Sequence, residues 1–456
     1  MVLLKVLKTI FFGTYARGFI TSYLLFMFIG ASLLILPISV QSGVTLSFVD
    51  AVFTSASALS TTGLSTIVVK DTFTLFGQTV LILIIQFGGI GLIMMVALFW
   101  LIVRSKIGFK QRNMIMTDQN QLSRQGIVRF VRDVLIVILT IEVVAFVVMT
   151  IYLTASGYFV FSEAAFQAFF TTISLFTNAG FDIAPNADSF QMYANDYFMQ
   201  SLAMFLMFMG AVGFWFLAEV KEYIIAKINK ESFTFSWFVK TLFVMHLGIW
   251  IISALLVFTL ERNGFLAGKG FFETVYYTLF MSLTTRNAGF STMDVSEFTG
   301  STQIFFIFLM FLGSSPNSAG GGIRTTTFLV ILLTLRSFAG GRDRVVFQKR
   351  FLKEETVMKA LLAVLLAIMI VAFNLLILTI VEPHEILHLM FEIVSAFGTT
   401  GLSLGVTDSL TLLGRLVLIV TMFIGRVGVL ALLLMFRSTT NKSAGIQYPE
   451  TDMIVG

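Results

Sequence analysis

Four short motifs carry the residue types with the clearest chemistry: Thr61-Thr62-Gly63, Asn178-Ala179-Gly180, Asn287-Ala288-Gly289 and Thr399-Thr400-Gly401. Their glycines are 117, 109 and 112 residues apart. Each is followed by an apolar or aromatic residue and then a polar one: Leu64-Ser65, Phe181-Asp182, Phe290-Ser291 and Leu402-Ser403. A single such motif arises readily in a turn, but four at near-constant spacing make an internal repeat. Glycine takes positive φ at no steric cost, so a strand through such a motif can aim successive carbonyls to one side. Four strands meeting on an axis would present rings of carbonyls able to replace the hydration shell of a cation. The competing reading is packing glycines between helices, a common use of small residues in membranes.

A second pattern lies further along each repeat. Gly88-Gly89-Ile90-Gly91, Gly210-Ala211-Val212-Gly213 and Gly425-Arg426-Val427-Gly428 share G-x-x-G. The third repeat instead has Gly313-Ser314-Ser315-Pro316-Asn317-Ser318-Ala319-Gly320-Gly321-Gly322. Proline and several glycines in so short a stretch do not hold a helix. The expectation is an unwound intramembrane segment under the four glycine strands, interrupting the third repeat where the other three continue as helix. The alternative is a loop between two separate spans. Arg426 sits in the fourth repeat's version of the pattern, and an ionisable residue inside a span is a functional candidate by default. Its expected partners are the carbonyls and hydroxyls of residues 314–322, against a purely structural role in helix packing. Glu142, alone in its span, fits an inter-helix hydrogen bond as well as it fits a function. Arg324 ends the broken stretch and most simply faces the cytoplasm. Arg286 belongs in the shell behind the third strand, because a cation path should not expose a guanidinium to the ion.

Composition fixes the setting of these residues. Of the 456 residues, 57% are hydrophobic and 12% charged, with 51 Phe and no Cys. Soluble domains carry about 25% charged residues, and many apolar runs here approach the ~20 residues that cross a bilayer. The absence of cysteine excludes disulfides and cysteine-ligated metals. The sequence reads as an all-α polytopic membrane protein with spans near 19–38, 73–103, 133–155, 197–220, 237–260, 303–335 (interrupted), 357–381 and 411–436. No cleavage site follows the basic start, so the first span is expected to remain uncleaved. Between the two spans of each pair lies a shorter apolar and hydroxylated stretch ending at a repeat glycine: 47–60, 162–176, 271–284 and 385–397. These are too short to span and read as re-entrant half-helices. Their C-terminal ends, partly negative, favour a cation, and the irregular backbone beyond them must be buried or line a water path.

Charge placement gives orientation. The tails and the connections between repeats hold 23 of the 30 Lys and Arg, among them Lys5, Arg104, Lys221, Arg342 and Arg437. The segments bearing the motifs hold Lys70, Arg262, Lys269 and Arg286 but 14 of the 25 acids. By the positive-inside rule both termini are cytoplasmic and all four motifs enter from outside, so the repeats run parallel. Eight transmembrane helices and four half-helices would then surround a pseudo-fourfold pore. The segments are 1–17 (cytoplasmic), 18–112, 113–230, 231–348 (with the unwound segment at 313–323), 349–437 and the cytoplasmic tail 438–456. A solute carrier built on inverted repeats fits this parallel pattern poorly.

His384-Glu385-Ile386-Leu387-His388 matches the H-E-x-x-H signature of zinc proteases, in which two histidines on one helix face bind the metal and the glutamate is the base. Its context speaks against that. The motif opens the fourth half-helix, an outward vestibule accounts for Glu385 and Glu392, and no further ligand motif follows.

The four motifs, the eight-span pattern and the broken sixth span resemble the Trk/Ktr/HKT superfamily of potassium-translocating subunits, most closely the KtrB-type membrane subunits of Ktr systems. The resemblance covers essentially the whole chain. It implies that the twelve motif residues form a selectivity filter with K+ at their backbone carbonyls. In that superfamily serine at a filter glycine goes with sodium transport, so four glycines imply potassium preference. It also implies that residues 313–322 and Arg426 form the gate, and that the protein is a homodimer in the plasma membrane. No nucleotide-binding fingerprint is present, so this chain is expected to bind no cofactor; a nucleotide-binding RCK-type ring (KtrA or KtrC like) is implied on its cytoplasmic face. The basic connections alone would equally suit anionic lipid. Nothing points to nucleic acid or to an enzyme; a sodium-coupled or less selective cation transporter is the alternative.

Overall fold

A computed structural model describes residues 15–102, 126–184 and 189–436. Much of the basic sequence used above to orient the chain (Lys5, Lys8, Arg104 to Arg124, Arg437, Lys442) lies outside the described residues, as does the tail 438–456. Sixteen helices carry the fold: α1 (Tyr15–Leu34), α2 (Phe48–Ser60), α3 (Leu75–Ile90), α4 (Leu92–Ile102), α5 (Ile127–Ala155), α6 (Phe161–Phe176), α7 (Tyr197–Ala211), α8 (Phe214–Ile228), α9 (Trp237–Glu261), α10 (Phe271–Thr284), α11 (Gly300–Leu312), α12 (Thr325–Ala339), α13 (Glu354–Val381), α14 (Ile386–Gly398), α15 (Leu412–Val427) and α16 (Val429–Phe436). A small hairpin, β1 (Val346–Phe347) with β2 (Arg350–Phe351), joins α12 to α13. Helices α5, α9 and α13, and α7 with α8 taken together, are long and apolar enough to cross a bilayer. Large apolar side chains such as Ile151, Val244 and Ile380 stand exposed on them, the surface expected where lipid is the solvent.

The short helices α2, α6, α10 and α14 begin and end within a residue or so of their expected limits. Their sequences explain why they stop. Thr61 and Thr399 take left-handed φ of 55° and 50° at the C-caps of α2 and α14, and Asn178 has φ 53° just beyond α6. A left-handed residue ends a helix and turns the chain away from its axis. The helices that follow three of the four motifs start with a side-chain cap: Thr74 Oγ1 accepts from Gly77 N, Asp196 Oδ1 from Met199 N, and Thr411 Oγ1 from Gly414 N, whereas Thr299 before α11 makes no such bond.

One expectation is overturned. The second spans of the first, second and fourth repeats were expected to run through, with only the third interrupted. All four are broken, at Gly91, Gly213, Gly313 and Gly428, with φ of 102°, 108°, 58° and 89°. The bend between α7 and α8 is 103°. Positive φ at a residue inside an apolar run ends the helix without any polar signal, and only glycine adopts it freely. The first glycine of each G-x-x-G does a different job. A Cβ on Gly88, Gly210 or Gly425 would strike the carbonyl of Leu59, Phe176 or Phe397, so these positions let the second helix lie directly against the end of the preceding half-helix.

The packing is cyclic. Besides its own unit, α3 packs on α6, α7 on α10, α11 on α14, and α15 returns to α2. Each half-helix is thus held by the broken helix of the unit before it, and the last unit closes on the first.

Candidate functional site

At the centre of this cycle the four glycine strands meet. Gly63, Gly180, Gly289 and Gly401 have φ of 93°, 69°, 75° and 92°. A Cβ on Gly63 would stand 2.7 Å from the Ala179 carbonyl oxygen, and one on Gly180 3.1 Å from that of Ala288. On Gly289 it would strike the Thr400 carbonyl, and on Gly401 that of Thr62. The order 63, 180, 289, 401 and back to 63 is a closed ring in which each glycine faces the carbonyl of the next strand. No larger residue fits without moving backbone.

Hydroxyls from the half-helices pin the strands. Ser57 Oγ accepts from Gly63 N (3.1 Å) and Ser395 Oγ from Gly401 N (3.0 Å). Ser174 Oγ donates to the Phe181 carbonyl (2.7 Å) and Thr284 Oγ1 to that of Phe290 (2.6 Å). These four residues were missed in the sequence, although a hydroxyl precedes the ring glycine by six positions in three repeats and by five in the other. Asn287 Nδ2 donates across to the Thr399 carbonyl at 3.0 Å, tying the third strand to the fourth.

Past the ring, a cavity of about 510 Å³ is lined by all four ring glycines and by Lys70, Asp182, Ser403 and Asp408, among others. Behind its wall Glu392 accepts from Thr407 Oγ1 (2.8 Å) and from Ser403. At its edge Arg415 Nη1 meets Asp50 Oδ1 at 2.6 Å, and Thr66 Oγ1 donates to the same oxygen at 2.8 Å.

On the opposite side of the ring lies the segment 313–322. It touches every unit. Thr61 Oγ1 donates to the Ala319 carbonyl (2.8 Å), and Gly321 N donates to Thr399 Oγ1 (2.8 Å). Ser315 N and Ala319 N donate to the carbonyls of Ala211 and Gly210, and Phe214 N to that of Asn317. A Cβ on Gly320 would run into the Asn287 side chain. Within the segment Ser314 and Ser318 share a hydrogen bond of 2.7 Å.

Two arginines hold this segment. Arg426 Nη1 donates to the Ala319 carbonyl, the expected kind of partner, and to Thr61 Oγ1 at 3.2 Å. Its Nη2 reaches the Gly88 and Gly89 carbonyls in the first unit, which sequence reasoning did not foresee. Those carbonyls are available because α3 ends there. Arg324, which could simply have faced the cytoplasm, is engaged instead: its Nη1 donates to Ser314 Oγ (3.2 Å) and to the Gly320 carbonyl.

Arg286 is 1% exposed and points away from the ring, donating to the His246 carbonyl and meeting His246 Nδ1, both at 3.1 Å. Glu142 accepts from Gln86 Nε2 at 2.8 and 3.0 Å, a bond between α5 and α3. The H-E-x-x-H residues do not share a helical face, because Glu385 is the N-cap of α14 and His384 lies before it. His384 Nε2 instead sits 3.1 Å from Ser409 Oγ.

The structure therefore brings together a polar cavity, four glycines each set against the carbonyl of the next strand, and the segment 313–322 bonded to all four units. Chains known from elsewhere are similar along their whole length. The chain is 41% identical over 434 residues to Ktr system potassium uptake protein D of Bacillus subtilis, covering 95% of each. It is 34% identical over 454 residues to Ktr system potassium uptake protein B of the same organism, covering 99% of each. It is also 31% identical over 449 residues to the potassium/sodium uptake protein NtpJ of Enterococcus hirae, covering 97% of this chain and 96% of that one. The crystal structure of the potassium transporter TrkH from Vibrio parahaemolyticus shares the fold, with a TM-score of 0.72 at 18% identity over 93% of this chain and 85% of that one. The model of the family described as TrkH, cation transport protein, matches residues 17–445. The chain belongs to the TrkH family of cation transport proteins.

Proposed function

We propose that this protein is the potassium-translocating membrane subunit of a Ktr-type uptake system. The observation that carries the reading is a cavity and a glycine ring built by all four units, with one arginine-held segment that makes contact with every unit. In this reading four parallel repeats place eight spans around a pseudo-fourfold pore in the plasma membrane, with both termini cytoplasmic. The repeats occupy 18–112, 113–230, 231–348 and 349–437. Thr61 to Gly63, Asn178 to Gly180, Asn287 to Gly289 and Thr399 to Gly401 form the filter and strip the ion of water. Residues 313–322, with Arg426, form the gate, and Arg324 steadies it. The protein works as a homodimer under a cytoplasmic RCK-type ring that carries the nucleotide. The names of its relatives, as potassium uptake proteins of Ktr systems, support the ion and the multi-component assembly.

The test is potassium uptake by cells that lack their own systems. Expression of this chain with its regulatory partner should restore growth and uptake at low external K+; no uptake would refute the reading. Gly63→Ser introduces a side chain where φ is 93° and the Ala179 carbonyl is 2.7 Å away. It should lower the preference for K+ over Na+ by about tenfold, ~1.4 kcal/mol, and unchanged selectivity would remove the ring from that role. A sodium-coupled or less selective transporter is the second reading, favoured by the potassium/sodium uptake relative. Uptake of K+ that requires external Na+ would distinguish the coupled form.

A further inference from the structure

The cavity beside the ring holds a group that the pathway as described does not use. Lys70 is the one Lys or Arg among the described residues that line it, and it shares those walls with Asp182 and Asp408. Its backbone is not free to wander. Gln41 Nε2 donates to the Lys70 carbonyl (2.9 Å), Gln41 N donates to the Thr72 carbonyl (2.9 Å), and Val69 and Thr72 beside it are buried. The side chain is half-buried. Arg415 pairs with Asp50 and Lys269 with Glu273, whereas Lys70 makes no ion pair among the described residues. A lysine ammonium is a compact charge on a flexible stem, and charges lining a concave, low-dielectric wall govern the local concentration of mobile ions.

Resting on the cavity as the ion's entrance, we propose that Lys70 is a specificity-setting residue, a positive charge tethered to the cavity wall that every incoming cation must pass. On that wall the ammonium repels each arriving cation and offsets part of the attraction of the carboxylates that share the cavity. The arrangement holds down the affinity of the entrance and disfavours divalent cations most, since repulsion from a fixed positive charge doubles for a doubly charged ion. Lys70 does not touch the ring, so it acts through the cavity's charge and not on the carbonyls.

The experiment measures initial rates of K+ uptake in complemented cells against external K+, for wild type, Lys70→Gln and Lys70→Arg. The KM for K+ should fall about three- to tenfold in Lys70→Gln and stay within about twofold of wild type in Lys70→Arg. External Mg2+ should inhibit Lys70→Gln at lower concentrations than wild type. Raising ionic strength with choline chloride should shrink the KM difference, because screening weakens the fixed charge. KM does not depend on how much protein reaches the membrane, so lower expression of a variant does not disturb the comparison. Wild-type KM and Mg2+ sensitivity in Lys70→Gln would overturn the proposal while leaving potassium uptake standing. A shift in Lys70→Arg as large as in Lys70→Gln would overturn it too, by making shape and not charge the cause. A wild-type chain that moves no K+ would overturn both this and the proposed function.

Discussion

Arg426 shows how much one side chain can do when its surroundings are backbone. Its planar fork meets carbonyls from the segment 313–322 and from the end of α3, together with the hydroxyl of Thr61. Lysine has the charge but not the geometry to bridge two backbones at once. Hydrogen bonds to a charged group are worth about 1.5–3 kcal/mol each. Arg426→Gln should therefore release the segment and raise passive K+ flux through proteoliposomes about tenfold, equivalent to ~1.4 kcal/mol in the balance of closed and open forms. Flux that stays level or falls in a correctly folded variant would count against a gating role. The partners of this residue were only half legible. The nearby run of Ser, Gly and Pro marks an unwound segment in the sequence, whereas the free carbonyls of Gly88 and Gly89 exist only because α3 stops one residue later. Glu142 was equally opaque, since nothing local to it points to Gln86 in another helix.

At the scale of elements, the half-helices were legible almost to the residue and the breaks in the second spans were not. A half-helix has polar, hydroxylated residues at its end and a glycine strand after it, both visible in sequence. The breaks at Gly91, Gly213 and Gly428 are flanked by apolar residues on both sides, Ile90 and Leu92 for instance, so hydrophobicity runs through them unchanged. The signal lay in the second glycine of each G-x-x-G, which reads in sequence as one more residue of a continuing helix. Gly213→Ala should prove the point: its φ is 108° and a Cβ would stand 3.0 Å from the Pro316 carbonyl oxygen. Such a conformation costs an L-residue about 1–3 kcal/mol, enough to lower the melting temperature of the purified protein measurably. Gly248→Ala is the control, lying within α9 with open space around it. There alanine gains up to about 1 kcal/mol of helix propensity. Equal melting temperatures for the two variants would mean that the break at Gly213 is not under conformational constraint.

For the molecule as a whole, the decisive seam is the one between its last unit and its first. Helix α15 packs on α2, Arg415 pairs with Asp50, and Arg426 spans to Thr61 and Gly88. The Arg415–Asp50 pair is partly buried, with side chains 22% and 16% exposed, and a pair of that exposure contributes about 1 kcal/mol. Arg415→Gln should lower stability by about that amount, with an effect that shrinks at high salt. The double variant with Asp50→Asn should be no worse than the single one, as expected when two groups act on one another. Additive losses in that cycle would show the two side chains acting independently. The repeat itself predicted that four strands would converge, but no pattern in the sequence marks Arg415 as the partner of a residue so far back in the chain.

That seam also has a meaning for how the protein is made. The first three units can settle against one another in the order in which the ribosome delivers them. The fourth wall of the ring, the second clamp on the segment 313–322 and the strap onto α3 all arrive with α14 and α15. Until then the strand of Thr61 to Gly63 has an open flank and the path has no enclosed centre. On the proposed reading of the ring as a filter, a chain that ends before α14 is not a leaky conduit but an unfinished one, and discrimination among ions arrives only with the last unit.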